Sequence, residues 1–122
     1  MEILFLGTCA CDYSPLLQTT YKDVFDKNAR RSSCALINGR YLIDCGYHCL
    51  EELRIAKIDL AQITDIFVTH FHSDHYNVEC ISQIAKASER TLRVWVRAGA
   101  NVIAISNVEW KLMGKGIEYT VD

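Results

Sequence analysis

The sequence predicts an α/β domain, and three observations carry that expectation. Two short apolar runs flank Asn38-Gly39, two later segments space their apolar residues on a helical period, and brief β-branched runs lie between and after those segments. Strand patterns alternating with helix patterns call for a sheet with helices packed against it.

The elements follow in order. Residues 2–6 read as a first strand, closed by Gly7. Residues 8–31 show no convincing periodicity and contain the only proline, Pro15; an unstructured stretch of that length is usually a lid, a binding loop or a small excursion. Residues 33–37 and 40–44 form a hairpin, since Asn-Gly supplies the two positive φ angles of a type I′ turn. Residues 47–57 form a helix with Leu50, Leu53 and Ala56 along one side and Glu51 and Arg54 between them. Residues 66–69 have the length and β-branched content of a buried strand. Val78, Ile81, Ile84 and Ala85 share one helix face, with Lys86, Glu89 and Arg90 off it. Residues 91–96 are a further strand. Beyond them Asn101 could cap a helix running toward Gly114, or residues 102–105 could form a strand, and the pattern leaves both open. Residues 116–121 read as a last strand.

At 122 residues the chain has room for one domain, 1–122. Half the residues are hydrophobic and 23% are charged, an ordinary globular balance. The net charge of −2 gives no general attraction to nucleic acid or anionic membrane. No run approaches the ~20 apolar residues of a membrane span, and Glu2 stands where an export signal carries positive charge. A cytoplasmic protein without membrane contact is expected. The six cysteines could in principle form disulfides, but Cys34, Cys45, Cys49 and Cys80 lie in apolar segments and are expected as reduced core thiols.

Three of the four histidines lie within six residues, in Thr69-His-Phe-His-Ser-Asp-His75. If His70 and His72 continue the preceding strand in extended form, their side chains leave on the same face and can share one metal ion. Ser73 then turns the chain, and Asp74 and His75 are placed at the start of the helix that Val78 continues, where they can reach a second metal. Zinc accepts imidazole and carboxylate readily, and paired metals can activate water and neutralise charge on a phosphoryl or carbonyl oxygen. A single histidine at a strand end would be an ordinary surface residue; this cluster predicts a metal site.

The same residues resemble a family. Thr69 to His75 matches the HxHxDH signature of the metallo-β-lactamase superfamily, and Asp44, in Leu-Ile-Asp-Cys-Gly46, matches its preceding motif. The opening Leu4-Phe-Leu-Gly-Thr8 and the Arg30-Arg-Ser-Ser33 run look like the branch that holds ribonuclease Z-type nucleases and cyclic-phosphate phosphodiesterases. The resemblance, from Met1 to about Val96, implies an αββα sandwich of which this chain supplies the N-terminal half. It implies two zinc ions per complete site, manganese or iron being alternatives, with His70 and His72 on the first metal and Asp74 and His75 on the second. It further implies hydrolysis of a nucleotide-like phosphodiester by a metal-bound hydroxide that Asp74 orients. Asp44 would steady the ligand loop rather than touch the metal; otherwise it is a strand-end turn residue.

The chain also departs from that pattern. The family's later histidines and bridging aspartate have no counterpart: no histidine follows His75, and Glu79, Glu89, Glu109, Glu118 and Asp122 sit in no matching motif. The chain alone is therefore expected to be inactive, and to associate with itself or with a missing C-terminal half. Cys9 stands where the branch usually has glycine, and Cys9 and Cys11 could at most form a partial soft-metal site. Tyr76-Asn77 follows His75 where small residues are common, which alters substrate access. His48 is expected as a partly buried or exposed helix residue rather than a ligand. Arg30 and Arg31 could steady a phosphate or simply be a solvated pair. Two rival functions remain: a non-catalytic metal-binding or assembly fragment of a split protein, and a thioester or lactone hydrolase.

Overall fold

The computed structural model describes residues 1–8 and 31–122. The expectations for Cys9, Cys11, Arg30 and most of the 8–31 stretch lie outside the described residues. Among the described residues six strands form one sheet in sequence order: β1 (Ile3–Gly7), β2 (Cys34–Ile37), β3 (Tyr41–Ile43), β4 (Asp65–Phe67), β5 (Leu92–Arg97) and β6 (Val108–Met113). β1, β2 and β3 pair antiparallel, while β3 to β6 run parallel. Parallel neighbours need crossovers. Helix α1 (Cys49–Ile55), with a 3₁₀ turn at Leu60–Gln62, carries the chain from β3 to β4; helix α2 (Val78–Ala87) carries it from β4 to β5.

The hairpin forms as its sequence dictates. Asn38 and Gly39 have φ of 51° and 69°, and Arg40 N–H donates to the Ile37 carbonyl at 3.1 Å. Register then sorts the side chains. One row across the sheet reads Leu4, Leu36, Leu42, Ile66, Val94 and Trp110. Its buried members pack with Cys49 and Leu53 of α1 and Ile81, Ile84 and Ala85 of α2 in a single core. The alternate residues, among them Phe5, Ile43, Phe67 and Trp95, occupy the opposite face. Among the described residues no helix covers them there, and Phe5 remains 71% exposed.

Cys34, Cys45, Cys49 and Cys80 are buried free thiols, as anticipated. Burial raises Cys80 to about 11, and a hydrogen bond to Cys49, reinforced by burial, holds Cys34 well above the ordinary thiol value. Thiols so placed stay protonated and inert at neutral pH. Among the described residues no helix is long and apolar enough to cross a membrane.

Several expected elements are corrected. The first helix is shorter than 47–57, and it buries Cys49, Glu52 and Leu53 rather than a Leu50–Leu53–Ala56 stripe. Glu52 is admitted because the Ser32 hydroxyl donates to its carboxylate at 3.1 Å. His48 is buried immediately before α1. The strand at 66–69 is instead Asp65–Phe67. Asp65 can be fully buried because Arg93 and the Trp95 indole N–H each donate to it at 2.8 Å.

Neither alternative for residues 101–105 forms. Those residues are irregular, and Asn107 at φ 62° ties them to the end of α2 by donating to the Ala85 and Arg90 carbonyls. Residues 116–121 are not a strand. The tail instead lies against the open face. The Tyr119 ring meets Trp95 at 5.6 Å, and the Asp122 carbonyl accepts from Arg40 at 2.7 Å.

Candidate metal centre

Ligands in open parallel sheets bind beyond the carboxyl ends of the strands, and the histidine segment begins there, just past β4. The ladder ends when Val68 N–H donates to the Trp95 carbonyl. His72 to His75 then form a tight turn, with His75 and Tyr76 N–H both donating to the His72 carbonyl. Asp74 and His75 therefore stand in this turn and not at a helix start. α2 begins later, capped by Asn77, whose side chain accepts from Cys80 N–H at 2.9 Å.

A second segment, just past β3, holds the turn in place. Cys45 N–H donates to the His75 carbonyl at 2.9 Å, Asn77 N–H to the Cys45 carbonyl at 2.7 Å, and Tyr47 N–H to the Ser73 carbonyl at 3.2 Å. Gly46 sits where the two segments touch. A Cβ there would lie 2.0 Å from the Asp74 carbonyl oxygen, so space alone demands glycine.

Asp44 organises the side chains. It is 4% exposed, at φ 66°, a region that aspartate tolerates better than most residues. Its carboxylate accepts from Thr69 N–H at 2.7 Å, from the Thr69 hydroxyl at 2.8 Å and from His75 Nδ1 at 2.6 Å. An ionised carboxylate only accepts. The Thr69 hydroxyl thus gives its proton to Asp44 and can only accept from His70 Nδ1, 3.0 Å away. Both imidazoles then carry their proton on Nδ1, which leaves each Nε2 lone pair free. Asp44 thus ties Thr69 and His75 of the histidine segment to the end of β3. Thr69 was missed, because its part depends on a residue 25 positions away.

The three imidazole rings lie close together. The His70 ring centroid is 4.6 Å from that of His72 and 4.0 Å from that of His75. His75 Nε2 stands 3.2 Å from Asp74 Oδ2, a lone pair facing a carboxylate that is unfavourable without a cation between them. Two donors on one tetrahedral zinc, each at about 2.0–2.1 Å, stand about 3.3 Å apart. The donor chemistry and that spacing fit zinc. Among the described residues, no three His, Cys, Asp or Glu side chains form a ready ligand sphere. His48 and Arg31 are both described, at the start of α1 and before β2.

Fold and site motif together place the chain among proteins of the metallo-β-lactamase fold, in the ribonuclease Z-like branch. It is similar to a ribonuclease Z of Methanothermobacter thermautotrophicus (36% identical over 77 residues, 62% of this chain and 21% of the relative) and to one of Crocosphaera subtropica (37% over 75 residues, 62% and 22%). Among solved structures it resembles the short form of human tRNase Z (TM-score 0.56, 26% identity, 81% of this chain and 35% of that one). It also resembles the metallo-β-lactamase fold protein YhfI of Bacillus subtilis (TM-score 0.70, 13% identity, 98% and 49%), a likeness of fold alone. The chain matches about a fifth of the length of these curated relatives. Residues 1–91 match the profile of the Anti-Pycsar protein Apyc1 family, and the chain belongs to that family.

Proposed function

We propose that this chain is the metal-binding portion of a metal-dependent phosphodiesterase. His70 and His72 would hold one metal, and Asp74 and His75 a second. The observation that carries the reading is the single carboxylate, Asp44, that sets both His70 and His75 as Nε2 donors. Metal-ligating histidines commonly have that support. The resemblance to ribonuclease Z proteins supports a phosphodiester as substrate. Zinc, or manganese or iron in its place, would supply an activated water and charge neutralisation. The chain's own contribution is to orient: Asp74, 7% exposed, can accept a proton from a water beside the histidines.

Elemental analysis tests the ligand set. Wild type should retain zinc, and the His70→Ala/His72→Ala variant should lose most of it. Equal metal in the two would remove the assignment.

Each proposed metal receives only two side chains from this loop, whereas a catalytic zinc usually has three protein ligands. The 122-residue chain should therefore show no zinc- or manganese-dependent hydrolysis of bis-p-nitrophenyl phosphate. The apolar open face at Ile3, Phe5 and Phe67 should also make it associate, so light scattering should give a mass above 13.9 kDa. Metal-dependent turnover by a strict monomer would show that the site is complete in this chain and that the portion reading is wrong.

A further inference from the structure

Beyond the four proposed ligands, the cations near the open face differ in one respect. Arg93 is paired to Asp65 at 2.8 Å and Lys111 to Glu109 at 2.8 Å, while Arg40 donates to Thr64 and to the Asp122 carbonyl. Arg97 has no ion pair among the described residues. It is exposed, and its guanidinium carbon lies 6.0 Å from the centroid of the Phe71 ring.

Its position gives that difference meaning. Arg97 is the last residue of β5, so it stands at the same carboxyl edge of the sheet as the histidine segment. Alternation along β5 puts it in line with Arg93 and Trp95, on the open face. Phe71 is the residue between His70 and His72, and its ring packs edge-on against Tyr76 at 4.7 Å. The Phe71 ring steadies the guanidinium by a cation–π contact that leaves its N–H groups free. Past β5 the chain turns away at Gly99, where even an added Cβ would meet nothing within 4 Å.

A cation at the edge of a site that would hold divalent metals favours an anion between them by Coulomb attraction. Guanidinium matches the paired oxygens of a phosphate better than an ammonium does. We propose that Arg97, propped on Phe71, is the positioning residue that grips the anionic phosphate of the substrate beside the histidine loop. This rests on the metal-centre reading and deepens it. It selects an anionic substrate over the neutral thioester or lactone of the rival hydrolase.

The test separates this proposal from the reading beneath it. Zinc content is measured first, for wild type, Arg97→Gln and Arg97→Lys. Dimethyl phosphate, an anionic diester, and its neutral counterpart trimethyl phosphate are then titrated into each zinc-loaded chain, following the amide resonances of Phe71 and His72. Wild type should prefer the anion. Arg97→Gln should bind it about ten- to a hundredfold more weakly, with little change toward the neutral ester, and Arg97→Lys should recover part of the loss. Equal zinc with undiminished anion binding in Arg97→Gln overturns the role of Arg97 alone, as does a zinc-loaded wild type with no preference for the anion. A wild type whose histidine loop takes up no zinc overturns the metal-centre reading, and this proposal falls with it.

Discussion

Asp44→Ala is expected to destabilise the chain by about 3 to 5 kcal/mol and to weaken zinc binding about ten- to a hundredfold. The carboxylate is buried and accepts from Thr69 N–H, the Thr69 hydroxyl and His75. Truncation leaves all of those donors facing a cavity without a partner, and a stranded polar group costs more than a pair contributes. Asp44→Asn separates the two losses. Its amide oxygen can still accept from Thr69 N–H, so much of the stability should remain. Its NH₂ group must then face His75 Nδ1, which can no longer donate there. The His75 proton moves to Nε2, and the lone pair needed for a metal disappears. Urea melts and zinc titrations on the three proteins measure this. Zinc binding by Asp44→Asn at wild-type affinity would show that Asp44 supports the fold and does not set the ligands.

What was legible in the sequence was local. Asn38-Gly39 specifies its own φ angles, and the stripe of Ile81, Ile84 and Ala85 repeats at the helix period, so the hairpin and α2 could be read from neighbouring residues alone. The histidine cluster could be noticed for the same reason: His70, His72, Asp74 and His75 lie within six positions. What escaped depends on partners far along the chain. Glu52 reads as an exposed helix residue until Ser32 is found beside it, and Asp65 until Arg93 and Trp95 close over it. Residues 116–121 have strand-like composition. Whether such a run becomes a strand depends on the chain laying it beside a sheet edge, and here the tail is held against Trp95 and Arg40 instead. The helix start placed at Asp74 failed because His72 accepts two backbone bonds in a tight turn, and the Asn77 cap resets the chain three residues later.

Gly46→Ala should disrupt the site most directly, because it separates the two segments that form it. The added Cβ would stand 2.0 Å from the Asp74 carbonyl oxygen and 2.3 Å from the carbonyl carbon. Both are backbone atoms, so no side chain can swing aside. The segments must part by at least about 1 Å, more than a close-packed interior absorbs without loss. That movement strains the bonds from Cys45 to His75, from Asn77 to Cys45 and from Tyr47 to Ser73. Overpacking together with these backbone bonds amounts to about 3 to 5 kcal/mol, a large part of the roughly 5–15 kcal/mol that holds a typical domain folded. A control must match the destabilisation without touching the site. Ile84, fully buried in α2, provides it, since Ile84→Ala should cost about 2 to 5 kcal/mol through a cavity remote from the histidines. Both variants should melt earlier than wild type. At a temperature where each is still folded by circular dichroism, Ile84→Ala should bind zinc like wild type, and Gly46→Ala should bind it at least about tenfold more weakly. If the two variants bound zinc equally well, the contact at Gly46 would matter to folding alone, and the histidine turn would hold its geometry without the segment that follows the hairpin.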